Sequence, residues 1–277
     1  MRIDSHQHFW RYNPVRDGWI TEEMAVLKRD FMPEELIQRM REAGIDRSIA
    51  VQADQSENET EFLLDLAERN PSIAGVVGWV DLRDEKIDER LEHFSRRKKL
   101  LGFRHIVQAE ADDQFMLRPD FLRGMNNLRR HNLTYEILIY AHQLPVTIEF
   151  VGRFPEQRFV LDHLAKPPIK AGEIDAWARD IRALAKHQNV YCKLSGLVTE
   201  ADWKCWNAET LRPYLDVAFE AFGMDRLMFG SDWPVCLLAG SYQQVKEVIE
   251  NYARDLSPSE KTNIFGLNAV RFYGLAA

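Results

Sequence analysis

The chain lacks the features that mark a disulfide scaffold, a membrane protein or a nucleic-acid binder. Cysteine is scarce: Cys192, Cys205 and Cys236 are the only three in 277 residues. They are odd in number, far apart and form no Cys-x-x-Cys pair. That excludes a disulfide framework and a thiolate zinc or redox motif, and it implies reduced thiols in a cytoplasmic protein. No apolar run approaches the ~20 residues of a membrane span. No signal-peptide pattern precedes Arg2 and Asp4, which lead straight into a first strand. Basic charge is not in excess: the net charge is −7 and the isoelectric point 5.7, which argues against nucleic acid as a partner. No internal repeat, low-complexity tract or interdomain linker divides the sequence. No glycine-rich loop follows the first strand, so the common cradle for dinucleotides and transferable phosphates is missing.

What is present is a regular alternation. With 45% hydrophobic and 29% charged residues the composition is that of a globular chain able to bury one sizeable core. Short apolar strands are predicted at 2–5, 47–52, 73–80, 101–106, 135–140, 158–162, 190–194 and 227–229. Between them lie helical patterns: one opened by Pro33 and ended by Gly44, then 57–70, 87–97, 119–131, 144–153, 173–187 and 208–222. Closing helices are predicted at 242–254 and 257–265. Strand–helix alternation argues for a parallel sheet, and eight units in this length argue for one closed (β/α)8 TIM barrel over residues 1–277. The stretch from Phe9 to Asp30 is too long for a turn and too aromatic for a linker, with Trp10, Tyr12 and Trp19, so it is expected to be functional.

In such a barrel the chemistry gathers where strands end. His6 and His8 follow the first strand with one residue between them, which puts both imidazoles on one side if the backbone stays extended. Gln52 ends the second strand. Arg104 and His105 lie at the fourth, His142 after the fifth, His163 after the sixth, Lys193 and Ser195 at the seventh, and Asp232 after the eighth. Five of the eight histidines therefore fall at strand ends, whereas scattered histidines would not sort this way. Alternation sends only one of Arg104 and His105 inward. Arg104 is taken as the inward clamp for a substrate anion or carbonyl, with His105 against the helices. Competing structural readings are a core histidine for His163, a helix-opening residue for His142, an outward ion pair for Lys193 and a helix N-cap for Asp232. A carboxylate beside imidazoles can take a proton from water. A metal on His6, His8 and Asp232, or the imidazoles alone, can activate that water or polarise a carbonyl. An arginine can stabilise the oxyanion. These parts suit addition of water to a carbonyl carbon.

Six stretches in order resemble a known family: Asp4-Ser5-His6-Gln7-His8-Phe9-Trp10, Gly102-Phe103-Arg104-His105, Tyr140-Ala141-His142-Gln143-Leu144-Pro145, Val160-Leu161-Asp162-His163-Leu164-Ala165-Lys166-Pro167, Lys193-Leu194-Ser195-Gly196 and Phe229-Gly230-Ser231-Asp232-Trp233-Pro234. The family is the amidohydrolase superfamily, in its "amidohydrolase 2" branch of lactonases. The resemblance implies hydrolysis of a sugar lactone of the L-fucono or L-rhamnono type to its hydroxy acid. By the same resemblance Asp232 is the general base, and His6, His8 and His163 line the reacting carbonyl with His142 beside them. Arg104 binds substrate, joined in this reading by Trp10, Gln52 and Lys193. No lysine stands where binuclear members carry a carboxylated one, so zero or one divalent ion is expected, zinc first. A homo-oligomer is left open. The rival expectations are a metal-dependent decarboxylase of the carboxymuconate-semialdehyde type, a hydrolase of a charged lactone from aromatic catabolism, and a non-catalytic binding barrel.

Overall fold

Eight parallel strands pair in chain order in the computed structural model, which describes residues 1–276. Residue 277, the last of the expected domain, lies outside them. The strands are β1 (Ile3–Gln7), β2 (Arg47–Val51), β3 (Ile73–Gly78), β4 (Leu100–Ile106), β5 (Thr134–Leu138), β6 (Phe159–Leu161), β7 (Val190–Leu194) and β8 (Leu227–Phe229). The barrel closes just beyond β8. The His8 amide donates to the Trp233 carbonyl at 2.7 Å, and the Asp232 amide donates to the His6 carbonyl at 2.8 Å. The two segments that close the barrel thus also carry three of the expected site residues.

The helices cover the outside, as a parallel sheet buried on both faces requires. They are α1 (Pro33–Ala43), α2 (Glu57–Arg69), α3 (Ile87–Ser95), α4 (Pro119–Arg130), α5 (Leu144–Gly152), α6 (Asp175–Leu184), the single turn α7 (Leu197–Glu200), α8 (Ala208–Phe222), α9 (Tyr242–Tyr252), α10 (Pro258–Thr262) and α11 (Asn268–Tyr273). Start signals match the chemistry. Proline stands in the first turn of α1 and α4, and the Ser56 and Ser241 side chains accept from backbone amides at the start of α2 and α9. Among the described residues no helix is long and apolar enough to cross a membrane.

Two apolar layers result. The larger lies between strands and helices. The smaller fills the barrel interior: Ile3, Ile49, Val51, Val77, Val160 and Met228 come from strands all round the sheet and meet Ala269, Phe272 and Tyr273 of α11. Helix α11 therefore closes one end of the barrel, and the catalytic end lies opposite.

Three features depart from the sequence expectation. The predicted 257–265 helix is broken: α10 ends at Thr262, and Asn263–Leu267 winds as a π-helix before α11 resumes. The aromatic stretch after β1 contains a 3-10 segment, Glu22–Leu27. Most important for the site, β1 and β4 are not regular. Three residue steps of β1 (Asp4 to Gln7) face two of β2 (Ser48 to Ala50). Likewise two steps of β4 (Leu100 to Gly102) face one of β3 (Val76 to Val77). A strand of strict period two cannot send both Ile3 and His6 inward, and the extra residue resolves that conflict.

Candidate active site

Beyond the bulge, β1 delivers His6 and His8 together. Their Nε2 atoms lie 3.2 Å apart, and the rings meet edge to face at 4.9 Å. The His8 Nδ1–H donates to the Val51 carbonyl at 2.7 Å, so a neutral His8 turns an Nε2 lone pair toward the cavity. Asp232 follows β8 with φ +56°, a left-handed conformation that aims its carboxylate back over β1. Its Oδ1 is 3.4 Å from His8 Nε2, 3.8 Å from His6 Nε2 and 3.9 Å from His163 Nε2. The side chain of Asp232 caps no helix; it belongs to the imidazole cluster.

Asp4 fixes this arrangement from behind. Its carboxylate accepts from the Ser231 amide (2.9 Å) and hydroxyl (2.6 Å), the His6 amide (3.1 Å) and the Tyr242 hydroxyl (3.1 Å). Burial pushes its pKa up to about 6, with these donors partly offsetting the rise. Gly230 is required by space, since a Cβ there would lie 2.7 Å from the His6 Cβ.

His163 enters through an unusual turn. His163, Leu164, Ala165 and Lys166 all have positive φ, from 49° to 58°, although none is glycine. The turn brings the His163 ring within 4.4 Å of His6 and its Nδ1 within 2.8 Å of the Ser195 Oγ. Gly196 lies against it with φ +67°, and a Cβ there would stand 2.7 Å from the ring.

Beneath the imidazoles lies a dry layer of charge. Arg104 Nη1 donates to Asp162 Oδ2 at 3.0 Å and lies 3.4 Å from His6 Nε2. The other Arg104 terminal nitrogen donates to the Gln52 carbonyl, while the Gln52 amide donates to the Arg104 carbonyl. Lys193 Nζ stands 2.6 Å from Glu136 Oε2, 3.1 Å from Asp162 Oδ1 and 3.1 Å from His6 Nδ1. Tyr273 of α11 donates to the other Glu136 oxygen. Two cations thus face two carboxylates.

Burial lowers the pKa of His6 well below its ordinary value, the Lys193 charge adds to this, and Asp162 only partly opposes it. Burial likewise lowers His163. Burial alone would raise Asp232, but His163, His8 and Lys166 together outweigh it and hold the carboxyl below its ordinary value. Asp162 is driven well below by Lys193, His6 and Arg104 against the cost of burial. Glu136 is raised by burial and by Asp162, to about 7. The cluster therefore holds neutral His6 and His163 imidazoles beside an ionised Asp232.

His8, Arg104, His163 and Asp232 open onto a cavity of about 510 Å³. Trp10, Trp19, Met24, Leu138, Trp203, Val235 and Leu238 form its apolar walls, and Gln108, Lys166, Thr199 and Glu200 its polar rim. A neighbouring cavity of about 570 Å³ lies beyond the wall formed by Tyr140, Lys166 and Glu200. It has no imidazole–carboxylate cluster, so the first cavity is the site.

The structure brings together His6, His8, Arg104, His163, Asp232 and Trp10. It does not bring His142. After β5, a 3-10 turn at Ala141–Gln143 presents Tyr140 to the cavity and swings His142 outward. There its side chain is 60% exposed and 3.1 Å from Asp113. Gln52 and Lys193 are fully buried and do not line the cavity: the first braces Arg104, the second underlies His6. His105 faces the helices, stacked on Phe115 at 4.5 Å. Glu136, Asp162, Lys166 and Glu200 were not singled out from the sequence. Glu136 carried a usable signal, since an acidic residue inside a buried parallel strand must find a cation.

His6, His8 and Asp232 fit one divalent ion: two imidazoles and a carboxylate converge, and the His8 lone pair already points inward. His6, Asp162 and His163 also converge, but Asp162 is engaged by Arg104 and Lys193.

Comparison with known proteins was made against this geometry. The amidohydrolase family model matches residues 3–275. An L-fucono-1,5-lactonase of Burkholderia multivorans is 44% identical, the match covering 99% of this chain and 96% of that protein. An L-fucono-1,5-lactonase of Burkholderia ambifaria is 37% identical, covering 98% and 95%. The crystal structure of an amidohydrolase from Burkholderia multivorans with bound zinc superposes with a TM-score of 0.96, at 44% identity and over 100% of both chains.

Proposed function

Because the chain belongs to the amidohydrolase family, we infer that it hydrolyses the ester bond of a sugar lactone, of the L-fucono or L-rhamnono type, to the open hydroxy acid. The observation that carries this reading is the ionised Asp232 beside the neutral His6 and His163 at the floor of a sugar-sized cavity. Asp232 takes a proton from water as the water oxygen bonds to the lactone carbonyl carbon. The developing oxyanion is met by the Arg104 guanidinium, which opens onto the cavity. Collapse breaks the bond to the ring oxygen, and the proton held on Asp232 passes to that oxygen. Lactones need less electrophilic help than amides, so this set suffices in kind. A divalent ion held by His6, His8 and Asp232, which we propose to be zinc, would add polarisation of the carbonyl.

The cavity walls supply the substrate's surroundings. Trp10 and Trp203 offer faces for the apolar side of a sugar ring, while Lys166 and Glu200, paired at 3.5 Å, offer a donor and an acceptor for hydroxyls. The experiment is proton release, followed with a pH indicator, over a panel of aldono-1,4- and 1,5-lactones. It is run as purified, after chelation, and after zinc or manganese is restored. Selective turnover of L-fucono- or L-rhamnono-lactones is expected. No lactone turnover with metal restored would reject the reading.

A further inference from the structure

Above its floor, the wall of the site cavity is divided. The loops after β4 to β7 contribute Gln108, Tyr140, Lys166, Thr199 and Glu200. The loops after β1 and β8 contribute Trp10, Trp19, Met24, Val235 and Leu238. Apolar side chains occur on both halves, but the polar ones gather on the first. Trp10 adds no donor to the second half, because its indole N–H is taken by the Arg29 carbonyl at 3.0 Å. Among the described lining residues, the indole of Trp19 alone brings an N–H there, at the 44% exposed lip.

The apolar half is firmly built. The 3-10 segment Glu22–Leu27, which carries Met24, packs against the turn Val235–Leu238. A chain of edge-to-face rings ties the two loops together: Trp19 to Trp10 at 6.1 Å, Trp10 to Phe31 at 5.2 Å, and Phe31 to Trp233 at 5.2 Å.

A 6-deoxy 1,5-lactone is divided in the same way. Its C2, C3 and C4 each carry a hydroxyl. The opposite edge is the ring oxygen and C5, which bears a methyl group and no hydroxyl. The chemistry fixes which way round it lies. The proton on Asp232 passes to the ring oxygen, so that oxygen lies toward Asp232. Asp232 leads directly into the apolar turn, and the Cys236 amide donates to its carbonyl at 2.9 Å. C5 is bonded to the ring oxygen, so its methyl group faces this turn while the hydroxyl edge faces Lys166 and Glu200.

We propose that Met24, Val235 and Leu238 form a receptor for the C5 methyl group and select 6-deoxy lactones against their hydroxymethyl counterparts. This rests on the lactone-hydrolase reading and names the part of the substrate that the cavity reads. A hydroxymethyl group would carry its hydroxyl into a wall with no partner for it.

The test compares freshly prepared L-fucono- and L-galactono-1,5-lactone, which differ only in methyl against hydroxymethyl at C5. The unmodified protein should favour the first by about 10²-fold in kcat/KM, the scale on which an apolar wall rejects an added hydroxyl. Met24→Gln and Val235→Thr keep the side-chain shape and supply a partner, so each should narrow that preference about 10-fold. Gln108→Leu, on the polar half, should slow both lactones and leave their ratio unchanged. Equal turnover of the two lactones by the unmodified protein would overturn the receptor and leave the hydrolase reading standing. So would folded Met24→Gln and Val235→Thr proteins with the original ratio. Turnover of neither lactone, nor of any other aldonolactone, would reject the hydrolase reading itself and the receptor with it.

Discussion

The floor and the rim of the cavity are built on opposite principles. On the floor, His6, Glu136, Asp162 and Lys193 have no exposed side-chain surface, and each is fixed by two or more partners. They stand on or directly after strands, whose positions the sheet's hydrogen bonds define. On the rim, Lys166 and Glu200 are about one-fifth exposed and paired loosely at 3.5 Å, and Trp19 is 44% exposed. These come from loops and turns. Removing one partner from a buried ion pair costs about 3–5 kcal/mol, and from an exposed pair about 0–1. The floor is therefore where chemistry and stability are bound together. The rim can change substrate preference while leaving the fold untouched.

The widest gap should appear at Asp232. Asp232→Asn is expected to retain its circular dichroism spectrum and lose about 10³-fold in kcat; a variant keeping a tenth of the activity would remove Asp232 as the base. Arg104→Met should lower kcat about 10²-fold. It should also lower the unfolding free energy by about 3–5 kcal/mol, because Asp162 loses a partner in a dry site. A normal denaturation midpoint would contradict the floor's double role.

On the rim, Trp203→Ala and Glu200→Gln should each raise KM roughly 10-fold, equivalent to about 1.4 kcal/mol of binding, with kcat and thermal midpoint almost unchanged. A kcat collapse in either would move that residue to the floor. The pH profile sharpens the contrast further. Asp232 is held below its ordinary value, so it stays ionised as pH falls, and kcat/KM should be flat down to about pH 5, above the ordinary carboxylate range. An acid limb centred near 6.5 would assign the base to an imidazole instead. The smallest effect belongs to His142→Ala, for which kcat and KM should stay within about twofold, since surface changes seldom matter. A larger loss would extend the site into the neighbouring cavity.

How far each region could be read follows the same division. The barrel was legible because eight apolar strands alternate with helical patterns. His6, His8, Arg104, His163 and Asp232 were legible because they punctuate strand ends. His105 was correctly sent outward by alternation beside Arg104. The bulges that let Ile3 and His6 share the interior leave no clear mark in the residues. His142 was misplaced because one 3-10 turn decides whether it or Tyr140 meets the cavity, and Ala-His-Gln does not specify that turn. Lys193 and Gln52 were correctly turned inward but placed one layer too high. Sequence gives the face of a strand, not the depth at which a long side chain ends. Glu136 was hidden inside an apolar run that read simply as strand.

The mirror-handed turn from His163 to Lys166 has a consequence for how this protein can change. Left-handed conformation costs roughly 1–2 kcal/mol for each residue with a Cβ, and four consecutive residues adopt it here. The Leu164 carbonyl is held by the Trp177 indole at 2.7 Å, and the Lys166 amide donates to the His163 carbonyl at 2.7 Å. A selection for thermostability alone would favour glycine at Ala165, where relief of the backbone is immediate and only a methyl group leaves the core. The same exchange would free the hinge that aims His163. In this fold the shortest evolutionary route to a hardier protein leads away from catalysis, and tolerance to heat and turnover must be improved at different addresses.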